Sequence, residues 1–145
     1  MGKGMNEQAL IVDLYELTMA AGYFEQNYNP TVTFELFIRD LPVQRNYLIS
    51  AGQAQVVDYL TQLHFTTQQV EYLRALPNFR HISAGFFDYL RDFRFTGNLY
   101  GLPEGSVTFA NEPILQVQAP LIQAQIVETF LLASINFQTM VASKA

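Results

Sequence analysis

Four stretches of the chain carry side chains able to bind or react. The first is Asp13-Leu14-Tyr15-Glu16-Leu17-Thr18-Met19. Tyr15 lies one residue from Leu14 and two from Leu17, so on a helix it points off the apolar stripe. Two readings are open: a boundary tyrosine that packs its ring and wets its hydroxyl, or a ring offered for stacking on a flat ligand. The second stretch is Arg39, at the end of a strand and followed by Asp40. It reads as half of a surface ion pair of little energetic weight, or as a clamp for phosphate, whose geometry the planar guanidinium matches. Arg45 in the next loop either extends such a clamp or is simply solvated. The third comprises the turns Pro103-Glu104-Gly105 and Asn111-Glu112-Pro113, whose carboxylates are expected to bond their own backbone. The fourth is Glu128-Thr129 with Asn136-Phe137-Gln138-Thr139, polar positions at helical spacing that read as helix–helix contacts. No G-x-G-x-x-G, Walker loop, H-E-x-x-H or G-x-S-x-G is present, so spacing alone defines no active site. His64 and His81 have no visible partner and read as ordinary structural or exposed histidines.

Composition narrows the chemistry further. The 145 residues are half hydrophobic and only 14% charged, enough for one domain with its own core and too apolar for a disordered chain. The net charge of −5, from 13 acidic and 8 basic residues, lacks the clustered Lys and Arg of a nucleic-acid binder. The absence of cysteine excludes disulfides, thiolate metal sites and cysteine nucleophiles. With two histidines, no metal site is assigned to this chain. No apolar run reaches the roughly 18 residues of a membrane span. The longest candidate, Ile126 to Ile135, is broken by Glu128, Thr129 and Ser134, so no membrane partner is expected. Asp13 and Glu16 fall where a signal peptide would be apolar, and a cytoplasmic location is expected. The 12 Phe and 8 Tyr are many for one small domain, and part of that surface is expected to meet a partner or more chain.

The elements that must position these residues follow from pattern. Residues 1–8 are polar and are expected to be a flexible N-terminus. Leu10, Leu14, Leu17 and Ala21 recur at helical spacing, and the Asn27–Pro30 cluster ends that helix. Thr31 to Arg39 alternates as a strand, with Val32, Phe34, Leu36 and Ile38 on one face and Thr33, Glu35, Phe37 and Arg39 on the other. Tyr47 to Ser50 is a second short strand. Helices are predicted over Gln53–Leu63, from the Thr66/Gln69 capping box to before Pro77, and over Phe86–Phe93. Short strands follow at Gly97–Leu102, Ser106–Ala110 and Ile114–Val117. A last helix, with Pro120 in its first turn, runs from Leu121 beyond Thr139. Runs of like elements predict an α+β fold over residues 9–145: a small mixed, antiparallel-leaning sheet with helices packed on it.

Several of these blocks, in order, resemble the N-terminal part of nicotinate phosphoribosyltransferase. They are the Asp13–Met19 block, Phe34-Glu35-Leu36-Phe37-Ile38-Arg39, Tyr47-Leu48-Ile49-Ser50-Ala51-Gly52, Phe93-Arg94-Phe95-Thr96-Gly97, the two turns above, and Asn136-Phe137-Gln138-Thr139 running into Ala142-Ser143-Lys144-Ala145. The resemblance covers nearly all of the chain from about Ala9 onward. It implies the N-terminal domain of a type II phosphoribosyltransferase without most of its α/β barrel. The implied reaction joins nicotinate to phosphoribosyl pyrophosphate, giving nicotinate mononucleotide and pyrophosphate. ATP hydrolysis is coupled to it and Mg²⁺ accompanies the pyrophosphate, neither being held by this chain alone. By resemblance Tyr15 would stack on the pyridine ring, Arg39 would reach the phosphates, and Asp13 would support the Tyr15 segment. No catalytic residue is assigned. The site would be completed by a neighbouring subunit, as a homodimer, or by a barrel portion. The family's phosphorylated histidine lies in a later block than His64 or His81, and the chain stops just before a family arginine, so the isolated chain is expected to be inactive. Two alternatives stand beside this reading: a free-standing assembly module that pairs with a separately encoded barrel, and a nicotinamide-using relative.

Overall fold

Asp13 starts the first helix. Its backbone is extended (φ −74°, ψ 144°), and the Glu16 carboxylate turns back to accept from its amide at 3.2 Å. Helix α1 (Leu14–Glu25) then buries Leu17, Ala20 and Ala21. The computed structural model describes residues 8–145, so the flexible segment expected at residues 1–8 lies outside the described residues except for Gln8, which opens a 3-10 turn at Gln8–Leu10.

Strand β1 (Thr31–Phe37) alternates as predicted, with Val32, Phe34 and Leu36 half-buried and Thr33, Glu35 and Phe37 exposed. It stops two residues short of Arg39. The ladder slips between Leu36 and Phe37, where Phe37 meets Pro113, a residue with no amide hydrogen to give. Next come β2 (Leu48–Ile49), α2 (Gln53–Gln62), α3 (Thr67–Ala75), a 3-10 turn at Pro77–Phe79 and α4 (Ala84–Arg91). The capping box predicted for α3 is formed: the Gln69 amide donates to Thr66 Oγ1 (3.2 Å), and the Thr66 amide to Gln69 Oε1 (2.8 Å). Helix α4 starts two residues before its predicted Phe86, because Ser83 is its N-cap.

β3 (Asn98–Gly101), β4 (Val107–Thr108) and β5 (Pro113–Pro120) complete the strands, and α5 (Leu121–Lys144) the helices. The architecture is α+β as expected, with one correction. The strands form two sheets, not one mixed sheet: β1-β5-β3 and β2-β4, every pairing antiparallel. Gly97 leads into β3 beneath the neighbouring strand, where an added Cβ would stand 2.5 Å from that of Ala119.

β5 passes into α5 with no loop. Pro120 ends the ladder opposite Thr31 and is at once the N-cap of α5, one position before its expected place in the first turn. The first amides of the helix find acceptors in the turn before β1: Leu121 donates to Pro30 O (2.9 Å) and Ile122 to Asn29 Oδ1 (2.9 Å). The core lies between α5, the three-stranded sheet and the α2–α4 layer, and Phe79, Phe86, Phe87 and Phe93 fill it in edge and stacked contacts. By length and composition α5 could cross a membrane, although the sequence suggested only the shorter Ile126–Ile135 run. Here it is the central helix of the domain, burying twelve of its residues.

Candidate functional site

The first turn of α1 lies across α5 at Glu128-Thr129, and buried hydrogen bonds hold the crossing. Glu16 is fully buried. Its Oε1 accepts from the Thr129 amide (3.0 Å) and from Thr129 Oγ1 (2.7 Å). The Thr129 hydroxyl also lies 3.1 Å from Asp13 Oδ2. An amide in the middle of one helix thus donates to a carboxylate on another. Burial pushes the Glu16 carboxyl above its usual range, against the hydrogen bonds from Thr129 and Asp13, which favour the ion.

Tyr15 is 48% exposed. Its hydroxyl donates to Glu128 Oε1 (3.1 Å), and Gln125 Nε2 donates to Glu128 Oε2 (2.9 Å). Desolvation, the bond to Glu128 and the charges of Glu128, Glu16 and Asp13 together push the phenol up to about 12.

Arg39 follows the end of β1. With Asp13, Phe37, Asp40, Thr129 and Asn136 it lines an open groove of about 640 Å³. The expected ion pair with Asp40 is not formed; among the described residues both salt bridges belong to Arg91, with Glu71 and Asp88. Arg39 has no hydrogen-bond partner there either, so its guanidinium is uncommitted. Asp13 and Arg39 therefore share one groove. Tyr15 stands beside it, its tip on Glu128, which lines an adjoining groove of about 590 Å³ that shares Leu36, Phe37 and Leu132 with the first.

Other sequence expectations change. Arg45 neither extends the clamp nor points into solvent: its Nη1 donates to the Ser143 carbonyl in the last turn of α5, where a cation also suits the helix dipole. Glu104 does not bond its own turn. Its Oε1 accepts from the Gly52 (2.9 Å) and Ala54 (3.2 Å) amides at the start of α2, whereas Glu112 does bond its own turn through the Phe109 amide (3.0 Å). His64 Nδ1 lies 2.8 Å from Gln62 O. Thr139 bonds the Ala51 backbone next to β2, not another helix. The helix–helix contact expected of Glu128-Thr129 is formed: both reach the first turn of α1, 113 residues earlier in the chain. Among the described residues no group of three or more His, Asp or Glu is placed to hold a metal ion.

The profile of the nicotinate phosphoribosyltransferase (NAPRTase) N-terminal domain matches residues 10–136. The chain belongs to that family. It is 47% identical over 137 residues to a nicotinate phosphoribosyltransferase of Mycobacterium tuberculosis, and 40% identical over 138 to that of Bacillus subtilis. Each alignment takes in 94% of this chain, but only 29% and 28% of those relatives. The crystal structure of human nicotinic acid phosphoribosyltransferase superposes with a TM-score of 0.85 at 32% identity, over 93% of this chain and 27% of that one. The chain is thus a nicotinate phosphoribosyltransferase N-terminal domain, spanning less than a third of the length of these relatives.

Proposed function

We propose that the chain supplies one wall of a nicotinate phosphoribosyltransferase site, with Tyr15 stacking on the pyridine ring and Arg39 holding phosphate oxygens. The reading rests chiefly on Arg39: an arginine with no partner among the described residues, set in the groove that Asp13 shares. A guanidinium left unpaired beside a carboxylate suits a ligand that brings its own charge. In the proposed reaction the pyridine nitrogen forms a bond to the anomeric carbon of phosphoribosyl pyrophosphate. The carbon–oxygen bond to pyrophosphate breaks, and pyrophosphate leaves with the electron pair. Positive charge develops on the sugar carbon and negative charge on the leaving group. Holding the flat ring in line and neutralising the pyrophosphate are then the tasks of the site. Nicotinate is proposed over nicotinamide because the relatives bear that name. The remainder of the site, with coupling to ATP, falls to chain beyond this domain or to a neighbouring subunit, in the cytoplasm.

The test is a chimera in which residues 9–145 replace the matching segment of the M. tuberculosis relative. It is expected to form nicotinate mononucleotide. Within it Arg39→Ala is expected to raise the KM for phosphoribosyl pyrophosphate about ten- to a hundredfold, the worth of one charge-assisted hydrogen bond. Tyr15→Ala is expected to raise the KM for nicotinate. Unchanged kinetics in both variants would remove these residues from the site.

A second reading, an assembly module for a separately encoded barrel, is favoured by the outer side of α5, where Phe137 is 70% exposed and Val141, one turn on, is 53% exposed. A clean monomer in size-exclusion chromatography, with no binding to a purified barrel portion, would count against it.

A further inference from the structure

Resting on the stacking role proposed for Tyr15, we infer that Glu128 is its positioning residue: an α5 carboxylate that fixes the direction in which the ring projects before any ligand arrives. A half-exposed tyrosine is ordinarily free to change rotamer, and a stacking platform that must be ordered on binding loses affinity to that ordering. Here the ring is held at both ends. At its backbone end the turn is fixed by Glu16 on Thr129, and Thr18 Oγ1 donates to the Tyr15 carbonyl (3.0 Å). At its tip the hydroxyl donates to Glu128 Oε1. Glu128 is itself restrained, since Gln125, 4% exposed, holds its second oxygen. No cation among the described residues pairs with Glu128, so the ordinary structural use of a half-buried carboxylate is missing. What it does in the fold is accept two hydrogen bonds, one of which ends on the ring.

Two measurements separate this inference from the reading beneath it. In the 145-residue chain labelled with ¹³C-tyrosine, Glu128→Ala is expected to shift the Tyr15 Cζ resonance and speed ring motion. Glu128→Gln, which keeps an acceptor oxygen, is expected to recover most of the original signal. In the chimera Glu128→Ala is expected to raise the KM for nicotinate about tenfold with a smaller change in kcat, with Glu128→Gln recovering most of that loss. Tyr15→Phe is expected to reproduce Glu128→Ala, and the double variant to add nothing to either. An unmoved Tyr15 resonance in Glu128→Ala, a Gln variant as damaged as the Ala variant, or additive effects in the double variant would each overturn the inference. A nicotinate KM indifferent to Tyr15→Ala would overturn the stacking role, and with it the inference, whatever the resonances show.

Discussion

Glu16 is a carboxylic acid held where water cannot reach it, so the fold favours its protonated form. The raised pKa fixes the sign of its effect on stability. The folded protein keeps the proton to higher pH than the unfolded chain, so stability is greatest below the unfolded value and falls as pH rises through the folded one. Urea unfolding of the wild type between pH 4 and 8 should show that decline, and Glu16→Gln should flatten it; an identical slope in both would show that Glu16 is not its source. A second buried group is less well provided for. The Tyr59 ring stacks on Phe130 (3.7 Å between centroids, 11° between planes), yet its hydroxyl has no hydrogen-bond partner among the described residues. Tyr59→Phe keeps the stack and removes an unpaired group, so it should raise stability by about 1 kcal/mol in the same assay. Neither property is legible in the sequence. Glu16 was visible only as an acidic residue within the Asp13–Met19 block, because Thr129, which defines its environment, stands 113 residues later in the chain.

At the scale of elements, local chemistry carried well and long-range pairing did not. The Thr66/Gln69 box and the alternation of β1 depend on residues close in sequence, and both were readable. The end of β1 at Phe37 depends on Pro113 arriving opposite, and the splitting of the strands into two sheets depends on which strands meet. Glu104 belongs to this class: a turn residue by sequence, it serves as the N-terminal cap of α2, where Gly52 (φ +108°) leaves an amide open. Glu104→Ala should therefore cost about 1 kcal/mol, read as a lower urea midpoint without a change in slope. Gly97→Ala should cost more, about 1–3 kcal/mol, because its Cβ would meet Ala119 Cβ at 2.5 Å and the Gln118 carbonyl at 2.7 Å, and a strand backbone cannot simply step aside.

For the molecule as a whole, the ordered series of blocks was enough to reach the family; Asp13 and Arg39 line one groove, while Tyr15 lines neither groove and bonds Glu128 on α5. What the blocks could not convey is which polar residues of α5 hold the crossing with α1. The purified chain, given nicotinate, ATP, Mg²⁺ and phosphoribosyl pyrophosphate, should form no nicotinate mononucleotide above a protein-free blank; turnover above that blank would mean that these 145 residues contain more of the site than one wall.

Helix α5 is fastened near both ends. Asn29 and Pro30 take its first amides, while Arg45 and the Ile49 amide hold Ser143 in its last turn. A rod clamped at both ends cannot pivot; it can only bow, and a packed α-helix bows little. Glu128 and Thr129 lie between the clamps, so in the proposed site a ligand stacked on Tyr15 would meet a fixed anvil.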